Sequence, residues 1–348
     1  MSHLYGLQVL RALAAFMVAV HHVQPDAALL AQRAGLTFEG SHLLPWLAGV
    51  DIFFVVSGFI MVHASDGLFD RPGATRLFLA RRIARIAPLY WAATSLFLLV
   101  ALAAPGALNS GAPDLAQIVG SYLFWPVVSP QGQLQPVYSL GWTLNYEMLF
   151  YALFGLALAL PRALVAPAVT LALAALVWAQ AAFGPLSPPF GFWGQPIVLE
   201  FAAGMGLALL RGAGFRLGGG WRWLAAALGF GLLLIAARLE IDGQPWLTVL
   251  LRGGAASLLV LSATSGDGRS APSALVRGLA HLGDASYALY LVHPFVIRGL
   301  RIAMSGAAPG RPILFVILAL AAAILAALAV YRWFERPATD WLRRRLGA

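Results

Sequence analysis

Long apolar runs alternate with short polar segments along this chain, and the polar segments carry almost all of the arginine. The runs are about 20 residues long, the length of a helix that crosses a hydrocarbon core ~30 Å thick. They predict helices near 5–24, 46–64, 86–104, 140–160, 163–183, 194–211, 221–238, 246–263, 283–304 and 312–332. In hydrocarbon the backbone must satisfy its own N–H and C=O groups, which leaves helices or a closed barrel. Barrel strands would show short alternating segments instead. The expected fold is therefore an all-α integral membrane protein with about ten transmembrane helices and a single transmembrane domain over residues 1–348.

An even number of spans puts both termini on one side, and arginine says which. With the N-terminus in the cytoplasm, sixteen arginines fall in cytoplasmic segments, among them Arg71, Arg76, Arg81, Arg82, Arg85, Arg269 and the C-terminal run Arg343, Arg344 and Arg345. Only Arg33, Arg238 and Arg311 fall outside, and four arginines lie within the spans. That asymmetry is the positive-inside signature, and removing one helix from the count would destroy it. The longest outer segment, 105–139, is rich in Pro, Gly and Gln and is expected to hold one short helix near 114–124. The first apolar run contains Arg11 and two histidines and lacks a small-residue cleavage site, so it is expected to be retained as a helix.

Composition agrees. Hydrophobic residues are 60% of the 348, charged residues only 11%, against about a quarter in a water-soluble domain. Cysteine is absent, which excludes disulfides, thiolate metal sites and a cysteine acyl intermediate. The net charge of +9 comes from scattered arginines and serves topology; no nucleic-acid partner is expected.

Ionisable residues inside a span are costly and face a cavity or a partner. Here they are Arg11, His21, His22, Asp51, Glu147, Glu200, Arg252, His293, Arg298 and Arg301. Eleven helical residues turn about 1,100°, so Arg11 and His22 point the same way, ~16 Å apart along the axis. His21 points about 100° away. Asp51, near the start of the second span, is placed to orient a histidine or an arginine, whereas Ser57 and Gly58 suit close helix packing. Arg82 and Arg85 share a helix face, where their forks suit phosphate oxygens or lipid headgroups. Glu147 lies inside the fourth span and requires a partner, for which Arg11 or a histidine would serve. In the ninth, Pro294 follows His293 and frees a carbonyl one turn back, and a break there would line a cavity.

Six strings fall together in one order. They are Arg11 with His22; Gly49-Val50-Asp51-Ile52-Phe53-Phe54-Val55-Val56-Ser57-Gly58-Phe59; Arg82 with Arg85, followed by Pro88-Leu89-Tyr90-Trp91; Trp142 to Tyr151; Ser286 to His293; and Glu335 to Pro337. This set resembles the family-three membrane acyltransferases of bacteria, which O-acylate polysaccharides, nodulation factors, lipids and some antibiotics. The resemblance runs from Leu7 to about Pro337. Where many relatives read Glu-Glu-x-Phe-Tyr, this chain has Glu147-Met148-Leu149-Phe150-Tyr151, with the essential acidic position filled. No soluble esterase-like domain is expected.

The resemblance implies a bacterial inner-membrane enzyme that moves an acyl group, usually acetyl, from cytoplasmic acyl-CoA to a sugar hydroxyl of a glycan or lipid-linked acceptor. It implies no metal and no permanently bound cofactor. It assigns the chemistry to His22, Arg11, Glu147 and Asp51, acyl-CoA binding to Arg82 and Arg85, and support to Ser57, Tyr290 and His293. His22 is then general base or transient acyl carrier, Glu147 or Asp51 holds its tautomer, and Arg11 steadies an oxyanion or the donor. Buried Arg, His and Glu also build transporters and flippases, although no inverted pair of interrupted helices is apparent in the sequence. A sensor or scaffold without chemistry is the third reading.

Overall fold

A computed structural model describes residues 4–103, 112–239, 241, 243–266, 272–307 and 310–348. Arg269 and residues 104–111 of the long outer segment lie outside these. The described residues form helices α1 (Tyr5–Arg33), α2 (Gly49–Ala64), α3 (Ala74–Ala103), α4 (Leu115–Tyr122), α5 (Trp142–Ala157), α6 (Arg162–Phe183), α7 (Phe190–Trp193), α8 (Leu199–Gly212), α9 (Gly219–Ala236), α10 (Pro245–Thr248), α11 (Gly254–Thr264), α12 (Ala274–Asp284), α13 (Ser286–Ala307), α14 (Pro312–Val330) and α15 (Arg336–Leu346). The one β contact among them is an isolated bridge between Val128 and Leu134.

Among the described residues, seven segments are long and apolar enough to cross a membrane: Tyr5–Arg33, Trp46–Ala64, Ala74–Ala103, Arg162–Phe183, Gly219–Ala236, Pro245–Thr264 and Pro312–Leu346. The other three expected spans are helical but shorter or more polar. α5 has 16 residues and α8 has 14, while α13 has 22 but carries Arg298 and Arg301. Large apolar side chains such as Leu171, Trp178, Ile317 and Leu325 are more than half exposed, as lipid-facing surfaces require.

Two boundaries differ from expectation. α1 runs on through Pro25 to Arg33, because Ala27 and Leu30 continue its apolar face and are fully buried. α3 starts at Ala74 rather than near 86, so Arg76 and Arg81 lie on the same helix as Arg82 and Arg85. The short helix of the outer segment is α4, capped by Asp114, whose carboxylate accepts the Gln117 N–H at 2.7 Å. α12 was not expected; Ser273 caps it.

The chain divides into two compact units. The first is Met1–Val56 with Leu207–Phe334. Its hub is α1, which packs against α11, α12, α13 and α14. Small residues let these backbones meet. A Cβ on Gly6 would stand 2.4 Å from the carbonyl oxygen of Ala263, one on Gly49 2.3 Å from that of Ala14, and one on Gly283 2.0 Å from that of Gln8. Val23, Ala27 and Leu30 of α1 then bury against Ile297 and Met304 of α13 and Phe315 and Ala319 of α14.

The second unit is Ser57–Gly206 with Glu335–Ala348. Here α3 packs against α4, α5 and α15, and α5 against α6. Thr75 Oγ1 donates to the carbonyl of Gly155 at 2.7 Å, fastening α3 to α5. Gly58 allows the closest approach to α8, since a Cβ there would meet the Phe201 carbonyl oxygen at 2.1 Å. Phe150 stacks on Phe201 with centroids 4.5 Å apart.

The glycine contacts predict opposite outcomes on one helix. Gly283→Ala should destabilise the protein by about 1–3 kcal/mol through overpacking. Gly278→Ala, with open space at its Cβ, should be neutral or stabilising by up to about 1 kcal/mol. Unfolding midpoints of the two variants in the same detergent check this; equal midpoints would contradict it.

Candidate active site

Within the first unit the structure brings His22 and His293 together. His22 is half-buried on α1, and its Nδ1 lies 2.9 Å from the carbonyl oxygen of Val18 one turn back. His293 is fully buried on α13, with Nδ1 2.9 Å from the carbonyl oxygen of Leu289. Nε2 of His293 stands 3.2 Å from Nδ1 of His22. A carbonyl oxygen only accepts, so both Nδ1 atoms carry hydrogen. Nε2 of His293 is therefore the acceptor, and the Nδ1–H of His22 is shared between it and Val18.

Pro294 does not break α13, which runs unbroken from Ser286 to Ala307. The proline ring withdraws one N–H and frees the carbonyl of Tyr290. Tyr290 packs edge-on to Phe53 at 6.1 Å and lies 6.5 Å from the ring of His293. His21 is exposed and meets His22 edge-on at 5.0 Å.

Arg11 shares α1 with His22, as its spacing requires. It is 7% exposed, and its Nη1 donates to Gln8 Oε1 at 2.8 Å. Asp51 is 3% exposed in the first turn of α2. Beyond the histidine pair, Asp26 Oδ1 pairs with Arg301 Nε at 2.5 Å and lies 3.6 Å from Arg298 Nε. Asp26 escaped the sequence reading because the first helix was expected to stop at 24; its four-residue spacing from His22 was the available signal. These contacts fix a direction. Residues 22 and 26 of α1 meet 293 and 301 of α13 in the same order, so the two helices run parallel.

The second unit holds the other group. Ser57 Oγ donates to Glu147 Oε1 at 3.1 Å, and the Tyr151 hydroxyl donates to the same oxygen. Ser57 therefore bonds a carboxylate while neighbouring Gly58 serves the packing. Tyr151, four residues after Glu147, is the partner that helical spacing makes available. Arg82 lies within electrostatic range of Tyr151, Glu147, Arg85 and Arg343. Its guanidinium sits over Phe78, 5.6 Å from the ring centre. Nε of Arg82 is buried with no hydrogen-bond acceptor among the described residues.

A multi-pass helical membrane protein with a histidine pair in one unit and a carboxylate–arginine group in the other is thus defined by its own geometry. Comparison with known proteins narrows the class. The family model described as an acyltransferase domain matches residues 4–332, nearly the whole chain. The chain belongs to this acyltransferase family. It is also similar to the exopolysaccharide production protein ExoZ of Rhizobium meliloti (strain 1021), with 37% identity over 302 residues that cover 86% of this chain and 91% of that protein. No solved structure matches.

Removing one partner of a buried ion pair strands the other charge. Asp26→Asn should cost about 2 kcal/mol, below the ~3–5 of a fully dry pair, because these side chains keep some exposure. The double variant Asp26→Leu with Arg301→Met should recover most of that loss. Chemical unfolding of the purified variants checks both; a double variant as unstable as the single one would contradict the pairing.

Proposed function

We propose that this chain is an acyl-CoA-dependent O-acyltransferase of the bacterial inner membrane. It moves an acyl group, acetyl in the simplest case, from cytoplasmic acyl-CoA to a hydroxyl of a sugar in a polysaccharide or glycolipid. The observation that carries the proposal is the hydrogen-bonded line from Val18 through His22 and His293 to Leu289. With Nδ1 of His22 committed as donor, Nε2 is the ring nitrogen with a lone pair for chemistry. The acyltransferase family and the similarity to ExoZ, an exopolysaccharide production protein, support the acceptor class.

In the proposed reaction Nε2 of His22 takes the proton of the acceptor hydroxyl as its oxygen attacks the thioester carbonyl. The resulting oxyanion collapses, the C–S bond breaks, and the CoA sulfur leaves with the proton from Nε2. His293 holds the His22 ring, a positioning role that the analogous third group fills in catalytic triads. Arg11 steadies the oxyanion or the donor carbonyl, and Asp51 orients the polar groups of the same unit. Arg82 and Arg85 take the donor phosphates, for which the unmatched Nε of Arg82 is suited. Glu147, held by Ser57 and Tyr151, sets the charge beside Arg82.

The topology in this proposal is ten spans with both termini cytoplasmic. The parallel run of α1 and α13 supports it, since the first and ninth spans of such a chain must point the same way.

Labelled acetyl-CoA and purified protein in bilayers test the assignment. His22→Ala should abolish transfer while the protein stays folded in the membrane. His293→Ala should lower kcat by about 10–100-fold with the donor KM little changed, a loss typical of a group that acts through another. Arg82→Gln should raise the donor KM instead. Full activity in His22→Ala would remove the proposal.

A further inference from the structure

The second unit contains an open cavity of 1190 Å³ that the proposed transfer does not use. Its walls are the first turns of α3, the 70–73 turn before it, the 158–161 turn after α5 and the end of α15. The rim carries Arg71, Arg76 and Arg345 against a single carboxylate, Asp70. Asp66, the nearest other acid in sequence, is already paired with Arg162 at 2.5 Å. The rim therefore holds two more positive charges than negative ones. The floor is aliphatic, and three of its residues present open apolar surface: Ile83 is 36% exposed, Leu160 39% and Leu346 37%.

This cavity is not the back of the donor site. On α3, residues 76, 79, 80 and 83 line it, while Arg82 and Arg85 point more than 90° around the helix. Nor does its lining suit a nucleotide, because it contains no aromatic ring on which an adenine could stack. A cationic rim over an aliphatic floor, at the end of a spanning helix, matches a molecule with an anionic head and alkyl chains.

We propose that this cavity is a binding site for an anionic phospholipid, with Arg71, Arg76 and Arg345 on the headgroup phosphate and Leu79, Ile83 and Leu160 along the chains. The lipid ties α3, α5 and α15 together at their shared end. The inference depends on the membrane reading and not on acyl transfer, so its failure leaves the proposed function untouched.

Native mass spectrometry of the full chain, released from bilayers of equal phosphatidylglycerol and phosphatidylcholine with identical chains, tests it. Phosphatidylglycerol should be retained in preference. Each arginine changed to Gln among Arg71, Arg76 and Arg345 should lower that retention about fivefold, the equivalent of ~1 kcal/mol per basic residue. The same change at Arg216, Arg222 and Arg277 should leave it intact. Ile83→Trp, which fills the cavity without altering charge, should also lower retention. Free coenzyme A should not displace the lipid. Equal retention of the two lipids, equal loss in the control variants, full retention in Ile83→Trp, or displacement by coenzyme A would each overturn the site.

Discussion

One hydrogen, on Nδ1 of His22, joins the two histidines of the first unit. It has two acceptors, the Val18 carbonyl at 2.9 Å and Nε2 of His293 at 3.2 Å. Both acceptors are themselves fixed, the first by the ladder of α1 and the second by the bond of its ring to the Leu289 carbonyl of α13. The ring of His22 is thereby held from two sides. The rest of the unit serves to keep α1 and α13 at the distance and register this contact needs.

Three features supply that register. The Leu289 carbonyl one turn back holds Nδ1 of His293 at 2.9 Å and so fixes its ring on α13. Asp26 with Arg298 and Arg301 joins the same two helices further along. Apolar packing of Val23, Ala27 and Leu30 against Ile297, Met304 and Phe315 closes the seam. The second unit follows the same rule with different groups: Glu147 has two neutral donors, and the arginines beside it stand on one face of α3.

Much of this was legible in the sequence. Long apolar runs gave the helices, because lipid allows little else, and the eleven-residue spacing placed Arg11 and His22 on one side of α1. The motif strings identified the family that the comparison shows. What the sequence hid were relations between distant residues. Nothing local pairs His22 with His293, 271 positions away. The apolar period of α1 passes straight through Pro25, so a boundary drawn at 24 concealed Asp26. Pro294 did not break its helix, and α13 runs unbroken from Ser286 to Ala307. Ser57 looked like a packing residue because it adjoins Gly58, and only the fold separates their roles.

The most direct test is the protonation pattern of the two rings. Histidine-selective nitrogen-15 NMR of the protein in bilayers, assigned by loss of signal in His22→Gln and His293→Gln, reads each ring nitrogen separately. The account predicts that both residues carry hydrogen on Nδ1 and that Nε2 is bare in both. A hydrogen on Nε2 of His22 would leave no lone pair facing a substrate hydroxyl and would contradict it.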